Sequence, residues 1–89
     1  MRRILTNPFI EVYPKIDVHG ETRDSVVPIV DVFIKDNIKL KNPRIVIIHG
    51  NGKGILKEEI HNYLKHNKNV LGYHLDIYNI GTTIIDLKL

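Results

Sequence analysis

Residues 44–56 read Arg44-Ile45-Val46-Ile47-Ile48-His49-Gly50-Asn51-Gly52-Lys53-Gly54-Ile55-Leu56. The aliphatic run behind Arg44 predicts a short, fully buried strand. It passes directly into a loop with glycine at 50, 52 and 54, and an amphipathic helix follows at once. Alternate glycines let the backbone turn through positive φ and approach a ligand with no Cβ in the way. Amides of such a turn, beside a helix N-terminus, form a seat for an anion such as phosphate. His49 at the strand end and Lys53 within the loop complete the outline of a site.

The helix after this loop is expected from about Ile55 to His66, with Leu56, Ile60, Tyr63 and Leu64 as its apolar stripe. On the other side, Asn42-Pro43 stops a first helix placed within residues 21–41. Val27, Val30, Ile34 and Ile38 fall at helical spacing there, with Val26 and Phe33 widening the stripe. Thr22 and Ser25 are both candidate N-caps, and Pro28 favours either a start at Ser25, which puts the proline in the first turn, or an irregular first turn. Ahead of it, Lys15-Ile16-Asp17-Val18-His19-Gly20 alternates as a strand, with Asp17 and His19 on one side. Residues 70–78 predict a third strand, Asn79-Ile80-Gly81 a turn, and residues 82–89 a fourth strand with Thr83, Ile85 and Leu87 on one face. The order β-α-β-α-β-β predicts an α/β two-layer sandwich. Its mixed four-stranded sheet carries two helices, the first two strands being parallel through a right-handed crossover. Residues 1–14, with Pro8 and Pro14, read as an extended arm on a domain of residues 15–89.

Composition narrows the class. With 43% apolar and 26% charged residues, 89 residues make an ordinary folded domain. No cysteine is present, which excludes disulfides and thiolate metal sites and is compatible with a reducing cytoplasm. No apolar run approaches a membrane span, so a cytoplasmic protein without membrane attachment is expected. The formal net charge is +3, and residues 35–68 hold eight basic residues against three acidic ones. That surplus suits a polyanion partner, and equally a solvated lysine-rich face.

Asp17, His19 and His49 fall at the C-terminal ends of neighbouring parallel strands, where open α/β sheets gather their ligands. An Asp-x-His pair beside a second histidine suits general acid–base work on a phosphodiester, or help in holding a metal or water. The same residues also read as a polar strand face and a cap. The glycine loop is no Walker A motif, since no Ser or Thr follows Lys53, and no dinucleotide fingerprint, since its glycines alternate. No nucleotide cofactor is therefore expected. Lys57, one turn into the second helix, is within reach of a phosphate. His61 and His66 read as solvated surface.

Taken together, these residues resemble the small MutS-related (Smr) domain. Ile16-Asp17-Val18-His19-Gly20 matches that family's leucine-aspartate-leucine-histidine-glycine strand end. His49-Gly50-Asn51-Gly52-Lys53-Gly54-Ile55-Leu56-Lys57 matches its histidine-glycine-x-glycine-x-glycine loop, with Lys57 where arginine is usual. Gly81 and Thr83 agree with a third, glycine-rich segment, whereas Tyr78 and Asn79 stand where paired glycines are common. The resemblance covers about residues 15–89. It implies nucleic-acid work: nicking of DNA or cleavage of RNA, in some members at stalled ribosomes. Asp17, His19 and His49 would be catalytic, and Gly50, Asn51, Gly52, Lys53, Gly54 and Lys57 would grip the substrate. A Mg²⁺ or Mn²⁺ ion is a candidate cofactor, with no ligand set assigned. The alternative expectation is a module that binds nucleic acid or a ribosomal surface without cutting.

Overall fold

A strand as apolar as Ile45–Ile48 has to lie inside a sheet, and the computed structural model, which describes residues 12–89, places it there. The elements run β1 (Lys15–Asp17), α1 (Arg23–Lys39), β2 (Arg44–Ile48), α2 (Ile55–Lys65), β3 (Val70–Asp76) and β4 (Asn79–Leu87). The sheet order is β1-β2-β4-β3, with β1 parallel to β2 and the other two pairs antiparallel. This is the expected α/β arrangement of two helices on a mixed four-stranded sheet. Of the arm expected over residues 1–14, residues 1–11 lie outside the described residues.

Period-two alternation decides which side chains meet the helices. Ile45 and Ile47 of β2 and Ile85 and Leu87 of β4 share one core with Val26, Val30 and Ile34 of α1 and Ile60 and Leu64 of α2. The same alternation carries His49 and Thr83 to the helix side, because Thr83 pairs with Ile47 in register. Val46 and Ile84, paired on the opposite face, are also buried. Between the helices, the Tyr63 hydroxyl donates to Asp31 (2.5 Å) and accepts from Asn67 Nδ2 (2.9 Å). Burial, then the hydrogen bond to Asp31, pushes the Tyr63 phenol up to about 12.

Three boundaries differ from expectation. The first strand stops at Asp17 rather than Gly20, because the Asp17 carboxylate accepts the His19 N–H (3.1 Å) and bends the chain into a turn. Helix α1 is capped by Thr22, not Ser25. The Thr22 hydroxyl accepts the Ser25 N–H (3.1 Å) and the Ser25 hydroxyl accepts the Thr22 N–H (3.0 Å), a reciprocal capping box. Pro28 therefore lies inside the helix, beyond its first turn, where it withholds the N–H that would bond the Asp24 carbonyl. In the last hairpin, the turn is Ile77-Tyr78, not residues 79–81. Asp76 Oδ1 accepts the Tyr78 N–H (3.1 Å), and Asn79 already pairs back to Asp76. Helix α1 ends in a Schellman motif: the Lys41 N–H donates to Ile38 O and the Asn42 N–H to Asn37 O. Lys41 holds its left-handed position at φ 62° without being glycine.

Candidate functional site

The C-terminal ends of β1 and β2 open onto a cleft of about 640 Å³, walled by His19–Arg23 on one side and His49–Lys57 on the other. The two sequence motifs thus face one another across a single concavity. They come close at one point: a Cβ placed on Gly50 would lie 3.4 Å from the His19 Cβ. At φ 89°, Gly50 holds a left-handed backbone that favours glycine.

At the β1 edge, the Asp17 carboxylate holds His19 twice, accepting its backbone N–H (3.1 Å) and its Nδ1–H (2.5 Å). With Nδ1 committed, the Nε2 of neutral His19 is a free acceptor, and the ring stands well exposed. The hydrogen bond from His19 holds the Asp17 carboxyl below its usual range, and the same bond raises the His19 imidazole. A carboxylate-oriented imidazole with one open nitrogen can take up and return a proton near neutral pH.

The loop opposite supplies donors. His49 N–H and Gly50 N–H are both committed to the Gly81 carbonyl (2.8 and 2.9 Å). Among the described residues, the amides of Asn51, Gly52, Lys53, Gly54, Ile55 and Leu56 have no protein acceptor. Helix α2 starts behind Gly54, whose left-handed backbone (φ 81°) provides no side-chain cap. Helix α1, by contrast, has a side-chain cap, in which Thr22 and Ser25 satisfy one another's amides. The open amides, the positive end of the α2 dipole, Lys53 and Lys57 therefore share one wall of the cleft, an arrangement whose charge suits an anion. Gly50 is part of this loop's frame rather than of its donor set.

His49 has a different place from the one its position in the motif suggests. It is only 4% exposed, and both ring nitrogens are used. Nδ1 lies 3.1 Å from Gly50 O, and a carbonyl can only accept, so Nδ1 carries the proton. Neutral Nε2 then accepts from the Thr83 hydroxyl (2.7 Å), and the Thr83 oxygen in turn accepts from His61 Nε2–H (2.7 Å). The result is a directed chain, His61 to Thr83 to His49 to Gly50, locking the end of β2 to α2 and β4. Burial lowers the basicity of both imidazoles. His61, expected on the solvated surface, is instead half-buried and tied to the frame of the site through Thr83, packed edge-on against Tyr73 at 4.9 Å. A period-two reading of β4 places Thr83 on the helix side. The link to His61 has no linear signature, because it joins residues 22 apart from different elements. His66 does remain exposed.

The basic surplus is partly consumed by structure. Arg44 forms a two-pronged pair with its cross-strand partner Asp86 (2.6 and 3.0 Å), and Lys35 pairs with Asp31 (2.9 Å). Lys53 and Lys57 flank the cleft. Among the described residues, no three His, Cys, Asp or Glu side chains converge as metal ligands. Nor is any described helix long and apolar enough to cross a membrane.

Fold and site together define a small α/β domain presenting an aspartate–histidine pair and a glycine loop with open amides at one sheet edge. The chain belongs to the Smr domain family, whose profile matches residues 16–88. It is 32% identical over 89 residues to Endonuclease MutS2 of Lachnoclostridium phytofermentans, and 36% identical over 70 residues to Endonuclease MutS2 of Lactiplantibacillus plantarum. These alignments take in 97% and 79% of this chain but only 11% and 9% of those proteins, so the chain spans about a tenth of their length. The fold is shared with the Smr domain of Thermus thermophilus MutS2 (TM-score 0.83, 23% identity, 85% of this chain and 99% of that one). It is shared too with YdaL, a stand-alone small MutS-related protein of Escherichia coli (TM-score 0.81, 18% identity, 86% of this chain and 68% of that one).

Proposed function

We propose that this chain is a nucleic-acid endonuclease, cleaving a phosphodiester of RNA or nicking DNA in the cleft between His19 and the glycine loop. The observation that carries this reading is that the two motifs line one cleft. An oriented, exposed imidazole stands against a loop with unfilled amide donors. Relatives named as endonucleases, aligned over most of this chain, add support.

In this reading the phosphate lies on the amides of Asn51–Gly54, with Lys53 and Lys57 offsetting its charge. His19 Nε2 accepts the proton of the attacking hydroxyl, from water or a ribose 2′-OH, as the new P–O bond forms. The Asp17 carboxylate stabilises the resulting imidazolium and keeps Nε2 aimed outward. His19 then returns the proton to the departing 5′ oxygen as the old P–O bond breaks, so the pair ends as it began. Negative charge growing on the phosphoryl oxygens meets amides already oriented toward it, which act without reorganisation. His49, buried and committed on both nitrogens, positions Gly50 and transfers no proton to substrate. Each step is assigned to a group of this chain.

A cleavage assay on labelled single-stranded RNA, structured RNA, plasmid and branched DNA tests the proposal, run with EDTA and again with Mg²⁺ or Mn²⁺. Cleavage lost in His19→Ala and reduced about 100-fold or more in Asp17→Asn is expected, in line with acid–base contributions of that size. Cleavage that survives His19→Ala would refute the assignment. Salt-sensitive binding with no cleavage would make the chain a binding module, a nucleic-acid or ribosome-associated one.

A further inference from the structure

Beside the glycine loop, the β3–β4 hairpin ends in a tip of unusual chemistry. Ile77 is 85% exposed, Tyr78 54% and Ile80 63%, three large apolar side chains within four residues. Tight two-residue hairpin turns favour Asn, Asp or Gly, and a β-branched isoleucine is a poor choice there. Exposed apolar clusters on soluble domains mark places where something binds.

The tip is fixed to the anion seat. Gly81 accepts the His49 and Gly50 amides through its carbonyl, and its missing Cβ is where Asn51 packs, with Asn51 Oδ1 2.7 Å from the Cβ position. Tyr78, in the turn, precedes Gly81 by three residues, which keeps its backbone within about 10 Å of that junction even at fully extended rise. One sheet edge thus carries open amides and a lysine next to an exposed aromatic ring flanked by aliphatic side chains. A nucleotide has the complementary form: an anion at one end and a flat π-face at the other.

We infer that the hairpin tip is a base-stacking platform, on which Tyr78, flanked by Ile77 and Ile80, receives the base of an unpaired nucleotide whose phosphate sits on the Asn51–Gly54 amides. The inference rests on the nucleic-acid reading above and narrows its substrate class. Bases inside a duplex are already stacked and present no free face, so the preferred ligand is a single strand, loop or bulge. An aromatic platform is tolerant of base identity and is worth about tenfold in affinity per stacked base.

The chain contains no tryptophan, so Tyr78→Trp places a single reporter at the tip. The experiment measures its emission, and the anisotropy of a labelled single strand of about 12 nucleotides, a length within the usual single-strand site sizes. The proteins compared are Tyr78→Trp, Tyr78→Ala, Lys53→Ala and the unaltered chain. Circular dichroism confirms that each variant is folded. Expected results are quenching of the introduced indole by single strand but not by inorganic polyphosphate, retained affinity in Tyr78→Trp, and about tenfold weaker binding in Tyr78→Ala. A duplex of the same length should bind more weakly than the single strand, and no more weakly to Tyr78→Ala than to the unaltered protein. If the strand binds and Lys53→Ala weakens it while the indole stays silent and Tyr78→Ala binds normally, the platform is refuted and the anion seat stands. If no strand or duplex binds the unaltered protein, both readings fall. If emission changes with protein concentration alone, the tip meets a second copy and the platform is refuted.

Discussion

Replacing Thr83 by valine would test the hydrogen-bonded chain that frames the site. The substitution preserves shape and removes one hydroxyl at a fully buried position. His49 Nε2 then loses its donor in a place water does not reach, and a buried polar group left unpaired costs about 1–3 kcal/mol. His61 is only partly buried and can recover a water, so its loss adds about 1 kcal/mol or less. The added methyl returns about 0.8 kcal/mol. The net expectation is a destabilisation of about 2 kcal/mol, which in a domain of this size lowers Tm by about 8–16 °C. Thr83→Ser is the control, since it keeps the hydroxyl and gives up a methyl, at about 1 kcal/mol. Urea and thermal unfolding of the three proteins measure the order, and imidazole ¹⁵N shifts report whether His49 keeps its proton on Nδ1. The reasoning is refuted if Thr83→Val equals or exceeds the unaltered protein in stability, or if Thr83→Ser is the worse of the two.

Three further outcomes are expected. Lys41→Gly should stabilise the domain by about 0.5–1 kcal/mol in urea melts, because it relieves a left-handed non-glycine residue in the α1 Schellman motif, whereas a neutral effect would mean the strain is small. Gly81→Ala puts a methyl 3.0 Å from the Gly50 carbonyl carbon and 2.7 Å from Asn51 Oδ1. It should cost about 1–3 kcal/mol and broaden the amide resonances of residues 49–54, and unchanged resonances would argue against the Gly81 junction. Finally, burial lowers the folded pKa of His49 and His61 below the usual 6.5, so the unfolded chain binds more protons in that window. Stability from these groups is fully present above pH 6.5 and lost as pH falls through their folded values. His19 has the opposite sign but is exposed, so its share is screened. The urea midpoint should therefore drop between about pH 7.5 and about pH 5.5, and a rise would contradict the buried neutral pair.

Much of the framework is legible in the chain because local and global preferences agree there. The Ile45–Ile48 run, the stripes of α1 and α2, and the alternation of β4 each follow from burial on a defined period. The motif pair at Asp17/His19 and Gly50–Gly54 is also legible, since parallel strands with a crossover bring their C-terminal ends to one edge. Boundaries set by side-chain-to-backbone bonds are harder to place. Asp17 ends β1 by capturing the His19 amide, and Ser25 acts as the third residue of a capping box rather than as the cap. The hairpin turn at Ile77-Tyr78 puts apolar residues at its centre, against turn propensity, and its one local mark is Asp76, whose carboxylate accepts the Tyr78 N–H. His61 is opaque in the sequence because a partly buried histidine and a solvated one look alike on a helix. Only the tertiary meeting with Thr83 tells them apart.

A titration of ¹⁵N-labelled protein with a short single-stranded oligonucleotide, read residue by residue, tests the central claim most directly. The account predicts the largest amide shifts at Asn51–Leu56, accompanied by a shift of His19 Nε2, with Lys41 and Asn42 at the far end of α1 unmoved. Shifts confined to another surface, leaving Asn51–Leu56 and His19 in place, would contradict it.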